Sequence, residues 1–170
     1  MRDDPFDMEE YIAAKRTIKG GKSCGDDGIT PEFLKYVGLD DIILGFINKA
    51  HSTKYLLQEW KILVIVPVPK PGDLTKPDNY RGIILISLVM KLYNRMILNR
   101  LRPILDPLLR ISQNSFRQKR ITVGQIVALR RLREPKENNL PCILTFIDFC
   151  KAFDTIHRGK LIEVLRAYGV

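Results

Sequence analysis

The alternation of apolar and polar positions divides the 170-residue chain into six helical stretches and three strand-like runs. Residues 8–18 read as a short amphipathic helix, which "GGKSCGDDG" breaks with its glycines. "TPEFLKYVG" restarts a helix, with Thr30 as N-cap, Pro31 at the first helical position and Glu32 in the first turn. After Gly38, "DDIILGFINKAH" forms a further helix. The character then changes. "KILVIVPVPK" and "YRGIILIS" are β-branched, apolar runs on either side of "PGDLTKPDN", which is dense in turn residues. They predict an antiparallel hairpin with a long tip. "VMKLYNRMILNRLRPIL" predicts a helix as far as Pro103. Its apolar residues include Val89, Leu92, Tyr93, Met96 and Ile97, while Lys91, Arg95 and Arg102 share another face. A basic loop, "SQNSFRQKRIT", leads to the helix "VGQIVALRRLRE". The strand "CILTFIDF" follows, then a last helix, "HRGKLIEVLRAYGV", with Leu161, Leu165 and Tyr168 on one side and Gly169 near its end. Helices and hairpins without regular βαβ alternation predict the α+β class.

Composition narrows the class. A chain 45% hydrophobic and 28% charged can bury a core as one domain, or one and a half. No apolar run approaches the roughly 20 residues needed to span a bilayer, and the opening "MRDDPFDMEEY" has no apolar stretch of the kind a secretory signal carries. Cys24, Cys142 and Cys150 are odd in number and lack metal-ligand spacing, which suits reduced thiols in an intracellular protein.

Charge changes the picture more. From Arg81 to Arg133 the chain carries twelve Lys and Arg against one acid, Asp106, a balance of +11, whereas the whole chain carries +9. So one-sided a block repels itself unless a polyanion neutralises it, which makes nucleic acid the leading partner. A solvated basic helix face and an anionic membrane surface are the alternatives.

One acid stands out by its surroundings. Asp148 lies in the apolar run "ILTFIDF", where an isolated buried carboxylate would be costly. It comes at the end of the predicted strand, just before the chain turns through "CKAFD". A hard divalent cation takes oxygen ligands and few protein ones, so a strand-end Asp suits it. In two-metal phosphoryl transfer, carboxylates from separate strands hold the two ions. The residues alone leave a second reading open, an Asp that caps the following turn.

"FIDFCKAFDTIH" resembles the first catalytic motif of reverse transcriptases from non-LTR (LINE-type) retrotransposons, in which an apolar strand and Asp are followed by Lys-Ala-Phe-Asp. Further blocks agree in the family's order: "GGKSCGDDGITPEFLKY", "EWKILVIVPVPKPGD", "DNYRGIILIS" with "KLYNRMILNRL", and "SQNSFRQKRITVGQI". The resemblance implies polymerase fingers, built of a β-hairpin and several helices, over residues 1–140. Residues 141–170 would begin the palm, with its first catalytic strand and the helix that follows. It also implies RNA-templated DNA synthesis by two-metal nucleotidyl transfer, with Mg²⁺ (or Mn²⁺), an RNA template, a DNA primer and deoxynucleotide triphosphates.

Residue by residue, the resemblance makes Asp148 the first metal-binding aspartate and the Phe149 backbone carbonyl a second metal contact. Phe153 matches the aromatic residue under the incoming sugar, whose bulk leaves no room for a 2′-hydroxyl. Lys70 and Arg81 match the two cations of the fingers hairpin that fold over the triphosphate. Charge neutralisation in a mobile lid, with bidentate bonds from Arg, suits that task. Arg117 and Arg120 are expected on the template backbone, with an internal salt bridge as the alternative, and Lys91 and Arg95 are further nucleic-acid candidates. Such phosphate contacts position a strand without reading its sequence. Asp154 is expected to cap the start of the last helix.

The sequence also departs from the pattern. Ser115 stands where the family has Gly before Phe-Arg, and Gly82 where it has Pro after Asn-Tyr-Arg. The block with Tyr-x-Asp-Asp is missing, since the only Asp-Asp pairs are at 3–4, 26–27 and 40–41. One carboxylate does not hold two cations against a triphosphate. The expectation is therefore a partial reverse transcriptase domain, lacking the rest of the palm and the thumb, that neither binds the metal stably nor polymerises alone. Two other roles stay open: a non-catalytic nucleic-acid-binding remnant, and a domesticated accessory protein using an apolar surface where the palm would pack.

Overall fold

The computed structural model describes residues 3–131, 143–150 and 152–170. They form helices and one antiparallel strand pair, a mixed helix-and-strand architecture as the patterning predicts. The chain divides into two compact units, Arg2–Arg100 and Leu101–Val170.

In the first unit, α1 (Met8–Lys15) starts at a capping box. The Asp7 carboxylate accepts from the Glu10 amide at 2.8 Å, and the Glu10 carboxylate accepts from the Asp7 amide at 3.2 Å. α2 (Pro31–Tyr36) begins as predicted, with the Thr30 hydroxyl accepting from the Phe33 amide at 3.3 Å. α3 (Asp40–Thr53) closes on Lys54 in the left-handed region, φ 55°. The predicted hairpin is β1 (Val64–Pro69) paired with β2 (Tyr80–Leu85), in a register that sets Val64 opposite Leu85 and Val68 opposite Arg81.

The core lies in this unit. Leu88, Leu92 and Met96 recur every fourth residue along α4 (Leu88–Leu105) and are buried with Phe6, Tyr11, Leu34, Ile47 and Trp60. Each large side chain so buried contributes about 1.5–3 kcal/mol. α4 runs two residues beyond Pro103, where the sequence predicted its end. A proline this near a C-terminus removes a single ladder bond, and a 3₁₀ turn at Asp106–Leu108 then breaks the helix.

Arg100 fastens the N-terminal segment to α4. Its guanidinium forks onto the Glu10 carboxylate, with both bonds at 2.7 Å, donates to the Asp4 and Pro5 carbonyls, and stacks 3.9 Å from the Phe6 ring centroid. Gly25 does a similar service by having no side chain. A Cβ there would fall 2.7 Å from the backbone at Ile86 and Ser87, the link between β2 and α4.

The second unit holds α5 (Val123–Arg131) and α6 (Arg158–Ala167). α6 ends in a Schellman turn, with Gly169 at φ 81°, its amide on the Arg166 carbonyl and the Val170 amide on the Leu165 carbonyl, both at 3.0 Å. Two expectations are corrected here. Residues 143–149 form no strand, because none of the described residues pairs with their backbone. Asp154 lies in a turn, and the cap of α6 is His157, whose Nδ1 accepts from the Lys160 amide at 3.2 Å. Cys142, the start of the predicted strand, and the end of the predicted α5 fall outside the described residues.

Candidate functional site

In the first unit, the hairpin presents two cations on one face. Arg81 is opposite Val68, and the Lys70 amide donates to the Asn79 carbonyl at 2.7 Å, which carries the ladder one step past the strand. Side chains alternate along a strand, so Lys70 and Arg81 become diagonal neighbours on the same side, about 7–8 Å apart. Both are exposed. The Lys70 ammonium donates to the Asp78 carbonyl at 3.1 Å, whereas the Arg81 side chain makes no hydrogen bond or ion pair among the described residues.

The tip between them is internally bonded. The Asp73 carboxylate accepts from the Thr75 hydroxyl at 2.7 Å and its amide at 3.0 Å, which holds its carboxyl below the usual carboxylate range. Asn79 Nδ2 donates to the Asp73 carbonyl at 2.6 Å, and the Tyr80 hydroxyl to the Leu74 carbonyl at 3.1 Å. This is an Asx-type turn network, as the Pro, Gly, Asp and Asn of the tip would form.

Lys91 and Arg95 lie one turn apart on α4, Lys91 exposed and Arg95 half-buried. Lys91 also borders a cavity of about 180 Å³ together with Lys19 and Lys22. The sequence reading did not single out those two lysines. Their place beside "SCG", in a block that resembles a family segment, was the available signal.

In the second unit the two arginines of the basic loop part company. Arg117 is spent internally. Its guanidinium bonds both carboxylate oxygens of Asp106, at 2.8 and 3.0 Å, the Asp106 carbonyl at 3.0 Å and the Arg110 carbonyl at 3.0 Å. The side chain is 8% exposed. The hydrogen bond from Arg117 lowers the Asp106 carboxyl, and the same bond raises Arg117. That is the internal salt bridge the sequence left open, and Asp106, the one acid in the basic block, was its signal. Arg120 is exposed and makes no such bond among the described residues.

Asp148 is exposed, and among the described residues its carboxylate accepts no hydrogen bond and joins no ion pair. It is therefore neither buried nor a turn cap here. Its neighbours Phe146, Ile147 and Phe149 are 75–77% exposed. Phe153 stands edge-on to Phe116, with centroids 5.9 Å apart and planes at 90°. Among the described residues no three acids, histidines or cysteines come together as a metal site, and no helix is long and apolar enough to cross a membrane.

The comparisons with known proteins bear on these same segments. The family model described as reverse transcriptase (RNA-dependent DNA polymerase) matches residues 68–170, from the hairpin through Asp148 to the last helix. The probable RNA-directed DNA polymerase from transposon BS of Drosophila melanogaster is 31% identical, over 96% of this chain and 19% of its own length. The RNA-directed DNA polymerase from mobile element jockey of the same fly is 29% identical, over 92% of this chain and 18% of its own. The retrovirus-related Pol polyprotein from type-1 retrotransposable element R2 of Popillia japonica is 25% identical, over 98% and 23%. The chain thus spans less than a quarter of the length of these curated relatives. With β2, the basic loop and Asp148 inside the matched region, the chain belongs to the reverse transcriptase (RNA-dependent DNA polymerase) family, and its relatives are proteins of retrotransposable elements.

Proposed function

We propose that this chain supplies the fingers (residues 1–140) and the opening of the palm (residues 141–170) of an RNA-directed DNA polymerase. The fingers would grasp the incoming deoxynucleotide triphosphate and the template. The observation that carries the reading is the pairing of Lys70 and Arg81 on one face of a hairpin whose tip is held by its own hydrogen bonds. Two cations on adjacent strands match the repeated charge of a triphosphate, and the guanidinium adds a bidentate fork.

The other roles belong to the same proposal. Lys91, Arg95 and Arg120 are set for template phosphates, while Arg117 serves by shaping the loop that carries Arg120. Phe153 is the ring that would exclude a 2′-hydroxyl. Asp148 and the Phe149 carbonyl offer oxygen donors to Mg²⁺ or Mn²⁺. One carboxylate and one carbonyl do not make up a site for two such ions, so the described residues do not fit the full metal pair. What these residues do by themselves is bind and orient substrate.

A fluorescent deoxynucleotide triphosphate, titrated into the chain, tests this. Arg81→Ala is expected to weaken binding about tenfold, the loss of a charge-assisted hydrogen bond. Lys70→Ala should weaken it less, since part of that ammonium is satisfied by Asp78. Equal affinity of the unaltered chain for the triphosphate and for the unphosphorylated nucleoside would refute the proposal.

A further inference from the structure

The loop between α4 and α5 borders an open cleft of about 530 Å³, lined by Gln113, Asn114, Phe116, Arg120 and Gln125. That volume lies within the roughly 300–1,000 Å³ of small-molecule sites. Its lining combines three kinds of group. Arg120 brings a cation with no hydrogen bond or ion pair among the described residues. Asn114, Gln113 and Gln125 bring carboxamides, each with donor and acceptor capacity. The Gln125 amide is fixed by donating to the Ser112 carbonyl at 3.1 Å, and that of Gln113 by a long bond of 3.4 Å to the Ser115 carbonyl. Phe116 brings an aromatic ring, 85% exposed.

Phe116 is held in an unfavourable way. Its φ is 63°, in the left-handed region that a bulky residue rarely enters, and Lys119 shares that conformation at 58°. An apolar ring gains nothing by being strained into solvent. Strain of this sort persists where surrounding contacts impose it, and it collects at ligand sites. The surrounding contacts are present: Arg117 bonds carbonyls at both ends of the loop's first turn, and Phe153 meets the Phe116 ring edge-on.

We propose that this cleft seats one unpaired nucleotide of a single-stranded polynucleotide, with the base on the Phe116 ring, its edge on the carboxamides, and the adjoining phosphate on Arg120. An exposed ring beside a cation is the arrangement by which proteins hold single strands, because every base has a π-face to stack. The role of Arg120 rests on the template-binding reading above; the base-stacking role of Phe116 does not.

Anisotropy of a fluorescein-labelled ten-nucleotide strand decides the matter, run as RNA, as DNA, as duplex, and as a strand whose bases are replaced by abasic sites. Phe116→Ala should weaken binding of RNA or DNA single strands about tenfold without altering the salt slope, and Phe116→Tyr should restore it. The abasic strand should bind the unaltered chain no better than the ordinary strand binds Phe116→Ala. Arg120→Gln should reduce the slope of log K against log salt by about 0.7. RNA binding tighter than DNA would add a contact to the 2′-hydroxyl. If the strand binds with a steep salt dependence but Phe116→Ala and the abasic strand behave like their parents, the cleft proposal fails and the phosphate-binding reading stands. If the unaltered chain binds no strand, both fail.

Discussion

Arg100 and Arg117 are alike in chemistry and differ in what surrounds them. Each is forked onto a carboxylate, each bonds backbone carbonyls, and each side chain is 8% exposed. Arg100 sits above a core in which Tyr11, Ile47, Leu92 and Met96 are wholly removed from water. Arg117 belongs to a unit in which no described apolar residue is buried, and Ile143 is 93% exposed. In the first unit the ion pair is added to a hydrophobic core, while in the second the polar clamp organises a loop that has none. Apolar patterning supplies the means of burial, but burial also needs an opposing surface. The exposed Ile143, Phe146, Ile147 and Phe149 have that surface nowhere among the described residues.

The contrast can be broken most directly by cutting side chains. Leu92→Ala should cost about 2–5 kcal/mol in denaturant melts, because it opens a cavity in a packed core. Leu129→Ala on α5, at a position 45% exposed, should cost less than about 1 kcal/mol. Equal losses would show that the two units share one cooperative core.

A finer test uses the arginines themselves. Arg100→Met leaves Glu10 half-buried beside an apolar chain and should destabilise the first unit by about 2 kcal/mol. Arg117→Met should leave the first unit's melting unchanged and raise hydrogen exchange only around residues 106–117. A global loss of stability in Arg117→Met would erase the distinction.

The smallest effect is one of pH. Arg117 depresses the Asp106 carboxyl, so the pair's contribution is complete above the ordinary carboxylate value of about 4 and is lost as pH falls through the lower, folded value. The Arg117 Nε resonance, followed by NMR from pH 6 downward, should hold steady to below that range and then shift. A midpoint at the ordinary value or above it would mean the clamp is not formed in solution.

These contrasts also mark what could be read from sequence. Thr30 as a cap and the hairpin tip "PGDLTKPDN" were legible because their determinants lie within a few residues. The α4 stripe was legible because one face of a helix repeats. The clamp of Arg100 on Glu10 was not, since 90 residues separate them and charge carries no record of its partner. Residues 143–149 have strand composition, yet a strand is a property of two segments, and the sequence reading supplied only one. Asp154 misled because His157, three residues on, takes the cap. Of the candidate site, residue identities were legible through motifs. That Arg117 is tied down while Arg120 is not required coordinates.

Gly25 carries a consequence for the hairpin. The space a Cβ would need at residue 25 is taken by the backbone at Ile86 and Ser87, just past the foot of β2. Arg81 rides on a strand of six residues, about 20 Å long, and Lys70 lies one step past the end of its partner strand. A methyl at residue 25 would have to displace that junction, from which the strand bearing Arg81 departs.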